Sequence, residues 1–529
     1  MRLGNNHTSQ ILNIWHNLRF RLIIEGIIVG IFAGLIVIFY RIFLEHAENI
    51  RNQIYYLISN SSVMIFLFFL ALIFVAYILG YIVQTEPLVG GSGIPQIKGQ
   101  LAGHLFISWK KVIWWKFVGG VLAIGAGLSL GREGPSVQLG GAVGHGLGRL
   151  LGRSRVENKY LITCGAGAGL SAAFNAPLAG VIFALEELHK SFFPVVLASA
   201  MTASLAANFL SQYFFGQQPV FSFPSLPALP LKYYGLLILL GIILGVLGLC
   251  FQVALLRTQQ LYKDYIKPAK YRPLIPVIIA GVLGFFLPDV LGGGHSLVIK
   301  LGNSTIPLLT LLILCVAKFA LTMVSYGSGV PGGIFLPLLV IGALIGNIVG
   351  LIMANLSFLP QEFVGNLIVF AMAGYFTAIV KAPITGTVLI TEMTGSFSNL
   401  FPVSIVCLSA YLITELFRLK PIYDALLEKI LVQNRTPLYA EKERKKTILE
   451  MPISLGSFLD QRCIKDVEWP QNCLLVGVIR GDQEIIPHGN TKLQMGDYLV
   501  ILVNDKEEAA INEYLLNLAQ NNSPSEEQT

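Results

Sequence analysis

The sequence predicts an all-α polytopic membrane protein made of two related halves, with helices broken inside the bilayer and a small α+β domain at the C-terminal end. Three observations carry this prediction. Of the 529 residues, 54% are hydrophobic and only 13% charged, where a soluble domain has about a quarter charged. Uncharged runs long enough to cross a bilayer recur at 63–83, 192–216, 233–256 and 321–361. About 20 apolar residues make one crossing, so the last run has room for two segments, and roughly ten or more segments are expected in all. The charge balance also reverses near Ala440: nine Lys and Arg against fifteen Asp and Glu follow it, whereas 28 basic and 15 acidic residues precede it.

In chain order, residues 1–21 form an N-terminal arm carrying Arg2, Arg19 and Arg21. The membrane domain spans 22–435, in two repeats of about 22–216 and 232–435. A linker covers 436–449, the C-terminal domain 450–520, and a polar tail predicted to be disordered 521–529. Basic residues concentrate in cytoplasmic loops. The arm and the basic stretch "RTQQLYKDYIKPAKYR" (257–272) are therefore placed in the cytoplasm, and the uncharged loop "GQQPVFSFPSLPALP" (216–230) outside. No signal peptide is expected. The formal net charge of +7 reflects this asymmetry, so the expected partner is a lipid bilayer and not nucleic acid. The six cysteines have no metal-ligand spacing and read as reduced and structural.

The repeat is visible in two pairs of segments. "NAPLAGVIFALEEL" (175–188) matches "KAPITGTVLITEMT" (381–394), and "SLGREGPSVQLGGAVG" (129–144) aligns without a gap to "PGGIFLPLLVIGALIG" (331–346). Internal repeats of this kind are a transporter signature, with the site at the repeat interface. The residues leave open whether the repeat is parallel or inverted.

Glycine and proline occur together in mid-membrane in three places: "GGSGIP" (90–95), "GREGP" (131–135) and "GVPGGIFLP" (329–337). Proline is best placed in a first helical turn, so each motif reads as a loop that starts a helix inside the bilayer. Such backbone is tolerated only where it lines a cavity. First-turn N–H groups carry about half a positive charge, and several converging starts make an anion site without a full cation. Ser92 either adds a hydroxyl donor to that site or acts as a simple helix cap.

Arg132 and Glu133 are the only formally charged residues from Phe117 to Gly148. A carboxylate beside helix starts occupies the position a mobile anion would take, and protonation would release it. Glu133 is thus a candidate gate and proton carrier; a turn-stabilising pair with Arg132 is the alternative. Arg132 itself is expected to brace the loop or backbone carbonyls. Glu186 and Glu187 end an apolar run and read either as solvated carboxylates at a helix exit or as a cytoplasmic proton acceptor. No enzyme is indicated: "GxSxG" and "HExxH" are absent, and His145 and His189 have no partners at metal-motif spacing. No metal and no cofactor are expected.

With these motifs in this order, residues 20–430 resemble the CLC family of chloride channels and proton-coupled chloride antiporters. The resemblance rests on "GSGIP" (91–95), "GREGP" (131–135), "GIFLP" (333–337) and the "NAPLAG" and "KAPITG" repeats. It implies an inverted repeat and a homodimer with one anion pathway in each subunit. It implies that Ser92 coordinates a central anion through its hydroxyl, that Ile334 and Phe335 offer backbone N–H groups, and that the Tyr423 hydroxyl completes the site. Without the resemblance, Tyr423 is merely an aromatic near the membrane surface. Gly91, Gly93, Pro95, Gly131, Arg132, Gly134, Pro135, Gly333 and Pro337 would shape the supporting loops.

The resemblance further makes Glu133 the external gating glutamate and Glu187 the internal one that many antiporters carry and channels replace. The implied activity is Cl⁻/H⁺ antiport; the alternative is a passive voltage- or pH-gated chloride channel of the same fold. Ser92 argues against the fluoride-exporting members, which have Asn there, and the nitrate-preferring ones, which have Pro. The stretch "GIPQIKG" (93–99) departs from relatives that carry acidic residues at the positions of Gln96 and Lys98; the expected consequence is for the electrostatics of the inner mouth and not its chemistry. The absence of the paired nucleotide-binding modules of eukaryotic members points, by analogy, to a bacterial cell membrane, with both termini cytoplasmic.

After the linker, "LLVGVIRGDQEIIPHGNTKLQMGDYLVILV" (474–503) reads as strand, Arg-Gly-Asp turn, strand, Gly-Asn turn and strand. Residues 505–520 read as an amphipathic helix. This part resembles the TrkA C-terminal domain of potassium-channel and transporter regulators. That implies either a regulatory role with an unidentified small-molecule ligand or a dimer-stabilising appendage.

Overall fold

The computed structural model describes residues 5–433 and 446–520, apart from 59–60, 191, 193, 222, 224–225, 471–472, 481–482 and 505–507. The Arg-Gly-Asp turn and the tail at 521–529 thus lie outside the described residues, in whole or part. The chain divides into two compact units, Met1–Ile430 and Leu431–Thr529. That boundary falls a few residues before the expected linker.

The membrane unit is entirely helical among the described residues. Its first half comprises α1 (Asn5–Ile58), α2 (Ser62–Thr85), α3 (Ile94–Leu101), α4 (Trp109–Gly125), α5 (Glu133–Leu150), α6 (Arg155–Phe174), α7 (Pro177–Phe183) and α8 (Pro194–Phe215). A π turn extends α7 through Ala184–His189. The second half comprises α9 (Tyr234–Tyr265), α10 (Leu274–Phe286), α11 (His295–Asn303), α12 (Leu308–Gly327), α13 (Phe335–Asn355), α14 (Val364–Val380), α15 (Pro383–Thr394) and α16 (Leu400–Leu416), followed by α17 (Ile422–Gln433). The arm is not separate: its described residues already belong to α1. The apolar run 321–361 holds the end of α12, a break and all of α13.

Nine segments among the described residues are long and apolar enough to span a bilayer. Others are too short: α3 has 8 residues and so covers only about 12 Å at 1.5 Å per residue. Spans differ in what they face. On α2 the outward face carries exposed Phe66, Leu67, Leu70, Phe74 and Tyr77, the composition of a lipid-facing helix, whereas α14 is buried along nearly all of its length.

Helices α1–α8 recur in order as α9–α16, and contacts between the halves reveal the symmetry. Glu186, at the end of α7, accepts the first-turn N–H groups of α15: Ile384 at 3.2 Å and Thr385 at 2.7 Å. In return Glu392, at the end of α15, accepts those of α7: Leu178 at 3.1 Å and Ala179 at 2.8 Å. Each carboxylate neutralises the positive end of the other's helix. The C-terminal end of each helix meets the N-terminal end of its partner, so the two run antiparallel and are exchanged by a two-fold operation. A repeat that reverses helix direction is inverted.

The C-terminal unit contains one antiparallel sheet in the order β1-β4-β2-β3, with β1 (Lys446–Pro452), β2 (Cys473–Arg480), β3 (Gln483–Ile485) and β4 (Tyr498–Asn504). A helix, α18 (Glu508–Gln520), packs on β1 and β4. Its core gathers Met451, Val478, Leu499, Ile501 and Leu515. The three strands read from the sequence are β2, β3 and β4. The additional strand β1 begins inside the expected linker 436–449, where the charges of "EKERKK" hide the apolar alternation that follows. Asp497, buried just before β4, takes a bidentate grip from Arg480 at 2.7 and 2.8 Å and the Gln494 N–H at 2.9 Å. Burial alone would raise its carboxyl, but Arg480 and the Gln494 N–H outweigh burial and hold it below the ordinary aspartate value.

Candidate functional site

The three Gly-Pro motifs are bonded to one another. Gly131 and Gly333, equivalent positions in the two halves, exchange N–H···O bonds of 2.7 and 2.8 Å. Gly91 donates to the Val330 carbonyl at 3.1 Å and accepts from the Gly332 N–H at 2.9 Å. These bonds bring the starts of α3, α5 and α13 together. Glycine is required where they touch: a Cβ on Gly134 would lie 2.8 Å from the Ser92 carbonyl oxygen and 2.9 Å from its Cβ. Gly93, with φ of 92°, adopts the left-handed backbone that turns the chain into α3.

Glu133 opens α5 and is fully buried. Its carboxylate lies against the backbone N–H groups of Glu133 itself and Leu336, in the first turns of α5 and α13, without closing a full hydrogen bond to either. Arg132 is not its partner in any close sense, since the guanidinium Nε is 3.9 Å from the carboxylate. Arg132 extends toward Glu45 of α1, at 3.5 Å, and so links the loop to that helix.

Ser92 is buried, and its Oγ accepts the Ile94 N–H at 3.3 Å. The cap reading therefore describes a contact it makes, from the position just before the N-cap Gly93. Ile334 and Phe335, also buried, stand at the start of α13, where first-turn N–H groups have no intrahelical acceptor. Tyr423 is not at a membrane surface: its ring is fully buried and its hydroxyl has no hydrogen-bond partner among the described residues. Sequence reading missed Tyr326, a buried tyrosine of α12 whose hydroxyl reaches Ser92. The supporting residues Gly91, Pro95, Gly131, Pro135 and Pro337 all fall in these loops or in the first turns they lead into.

Two buried lysines hold the carbonyls of the loops. Lys116 of α4 is completely buried and donates to the carbonyls of Val89 at 2.8 Å and Gly91 at 2.6 Å. Its counterpart in the second half, Lys318 of α12, is likewise buried and donates to Val290 at 2.9 Å and Gly292 at 2.8 Å. Each lysine donates to carbonyls of the turn preceding a short helix, α3 or α11. The equal spacing of the two lysines in the two halves was the signal available in the sequence.

The adjacent carboxylates Glu186 and Glu187 make different contacts. Glu186 caps α15 and is thereby occupied. Glu187 is buried and accepts from Lys98 Nζ at 2.6 Å. Lys98 also pairs with Asp424, which Lys190 holds from outside at 2.7 Å. The effect of Lys98 is therefore not confined to the electrostatics of the mouth, because it bonds the candidate acceptor itself.

An inverted repeat with helix starts meeting around a buried carboxylate, between apolar helices, defines an integral membrane protein built around an ion pathway. The family model for the voltage gated chloride channel matches residues 73–415, and that for the TrkA-C domain matches 448–516. The chain belongs to the voltage-gated chloride channel (CLC) family. It is 34% identical over 425 residues to the H(+)/Cl(-) exchange transporter ClcA of Vibrio cholerae, covering 78% of this chain and 90% of the relative. Among solved structures it is similar to a slow cyanobacterial Cl⁻/H⁺ antiporter, with a TM-score of 0.75, 30% identity, and coverage of 78% of this chain and 99% of that one. It is also similar to a CLC-type fluoride/proton antiporter, with a TM-score of 0.64, 25% identity, and coverage of 75% and 96%.

Proposed function

We propose that this protein exchanges chloride for protons across a cell membrane, with Glu133 as outer gate and proton carrier and Glu187 as inner proton acceptor. The observation that carries the reading is the condition of Glu133: a buried carboxylate set against helix-start N–H groups of both halves, with neither oxygen fully bonded. Those N–H groups suit any anion of the right size. While the carboxylate is charged it holds the position, and when protonated it loses its attraction to the N–H dipoles and yields to chloride. One side chain then alternates with the anion and carries the proton, which is the minimum needed for coupling. Chloride would be held by the Ser92 hydroxyl, the N–H groups of Ile334 and Phe335, and the unpaired Tyr423 hydroxyl. Ser92 favours chloride over fluoride or nitrate as the substrate, and the printed activity of the relatives supports the exchange.

The orientation proposed puts the start of α1 and the inner acceptor in the cytoplasm. Arg21, Arg149, Arg153, Arg155 and Lys159 gather at that end, as positively charged loops do on the cytoplasmic side. A homodimer with one pathway in each subunit is part of the same proposal.

The experiment is proton uptake by purified protein in liposomes under a chloride gradient, with wild type beside Glu133→Gln and Glu187→Gln. Chloride flow should drive protons uphill in the wild type, and both variants should lose that coupling. Chloride movement with no proton flux in the wild type would establish the passive channel instead.

A further inference from the structure

Glu187 is the first member of a chain of four side chains of alternating sign. Lys98 Nζ bonds Glu187 Oε1 at 2.6 Å and also contacts Asp424 Oδ1, and Lys190 Nζ bonds Asp424 Oδ2 at 2.7 Å. Exposure rises along the chain: the side chains of Glu187 and Lys98 are 4% and 5% exposed, Asp424 24% and Lys190 54%. The chain thus runs from water to the buried carboxylate. It joins three elements, the α7 extension, α3 and α17. The other titratable groups around Glu187 are engaged or uncharged: Glu186 caps α15, His189 contacts Thr163 of α6, and Tyr423 is the neutral phenol adjacent to Asp424.

We propose that Lys98 is a proton latch at the inner mouth, a positioning residue whose ammonium closes Glu187 to protons and shifts wholly onto Asp424 when a proton arrives. This rests on the reading of Glu187 as inner acceptor. The geometry supplies the means. Lys98 already touches both carboxylates, so the transfer needs only a rotation of its flexible stem. A proton delivered from water to Glu187 neutralises that carboxylate and ends its attraction to the ammonium. Lys98 keeps its own proton and retains one ionic partner in Asp424, so no charge is left buried and unpaired. Departure of the proton from Glu187 toward Glu133 restores the bridge. Asp424 is the neighbour of Tyr423 on α17, so the same movement alters the restraint on the helix that presents the phenol to the chloride site.

The latch makes two predictions of opposite sign. With Lys98→Gln, Glu187 loses the ammonium that bonds it while Asp424 keeps Lys190, so Glu187 binds a proton more readily and the pH profile of coupled flux should move to higher pH by about one unit or more. With Asp424→Asn, Lys98 has Glu187 as its remaining carboxylate partner, and the profile should move to lower pH. Lys98→Arg keeps the charge and should restore a profile near that of the wild type. The measurement is chloride-driven proton uptake in liposomes as a function of pH on the side of α17, with chloride flux recorded in the same vesicles to show that each variant is folded. Opposite shifts with rescue by arginine support the latch, because a purely structural bridge would lower flux in both variants without moving the profiles apart. Shifts of the same sign, or none, overturn it. If Glu187→Gln still couples protons to chloride, the underlying reading fails instead. If that variant loses coupling while Lys98→Gln keeps the wild-type profile, only the latch fails.

Discussion

Glu133 and Glu187 are both buried carboxylates on the first half of the repeat, yet their surroundings are opposite. Glu133 meets backbone dipoles, with the Arg132 guanidinium Nε held off at 3.9 Å. Glu187 meets an ammonium at 2.6 Å, itself tied through Asp424 to the surface. Dipoles of half-charge hold an anion and let it be exchanged, whereas a full ion pair holds its member until something displaces the partner. On the proposed exchange reading, the difference makes Glu133 the group an anion replaces and Glu187 the group a cation controls.

The largest effect that would break this comparison is at Glu133. Replacing it with Gln removes the charge that competes for the helix-start N–H groups, so an anion should take the vacated position. Crystals of the variant soaked in bromide should show anomalous density where the carboxylate stood, and wild-type crystals should not. Equal density in both would mean that the carboxylate never occupied the site.

The loops that hold the dipoles in place come next. Gly134→Ala drives a methyl group to 2.8 Å from the Ser92 carbonyl oxygen and should cost about 1–3 kcal/mol as overpacking, lowering the unfolding temperature in detergent. Turnover should fall with it, because the starts of α3 and α5 move apart.

A smaller effect separates neighbours. Glu186→Gln should destabilise the membrane unit by about 1 kcal/mol, as loss of a helix cap does, and Glu392→Gln should do the same through the reciprocal contact. Neither should uncouple protons from chloride, whereas Glu187→Gln should. Loss of coupling in Glu186→Gln would erase the distinction between the adjacent carboxylates.

The smallest effect lies outside the membrane. Asp497 is held below the ordinary aspartate value, so the unfolded domain binds more protons there than the folded one. The stabilisation from this pair is therefore complete above the unfolded value of about 3.9 and is lost as pH falls through the lower folded value. Arg480→Ala should weaken the C-terminal domain at neutral pH and flatten its loss of stability on acidification. Chemical denaturation of this domain in the full chain, followed through Trp469, would read both.

Much of the fold was legible because glycine and proline cannot hide. "GSGIP", "GREGP" and "GIFLP" announce helix starts in mid-membrane, and the spacing of the two Ala-Pro segments announces the repeat. The inversion was not legible from the residues alone, since it depends on which end of α7 meets which end of α15. Tyr423 was legible only through family resemblance: one tyrosine after "KPI" does not show that it is buried. Lys98 was noticed as a departure, but the sequence separates it from Glu187 by 89 positions, and only packing brings them together. Lys116 sits in "WKKVIWWK", a pattern indistinguishable from interfacial lysines until its match with Lys318 is set beside their shared burial.

The proposed exchange requires that a proton and chloride both pass by way of Glu133. The most direct test is the reversal voltage of chloride flux in wild-type liposomes, clamped with potassium and valinomycin, with equal chloride on both sides and a tenfold proton gradient. Exchange predicts a reversal displaced from zero, with the sign following the proton gradient. A reversal at zero, unmoved when the proton gradient is inverted, would contradict the account.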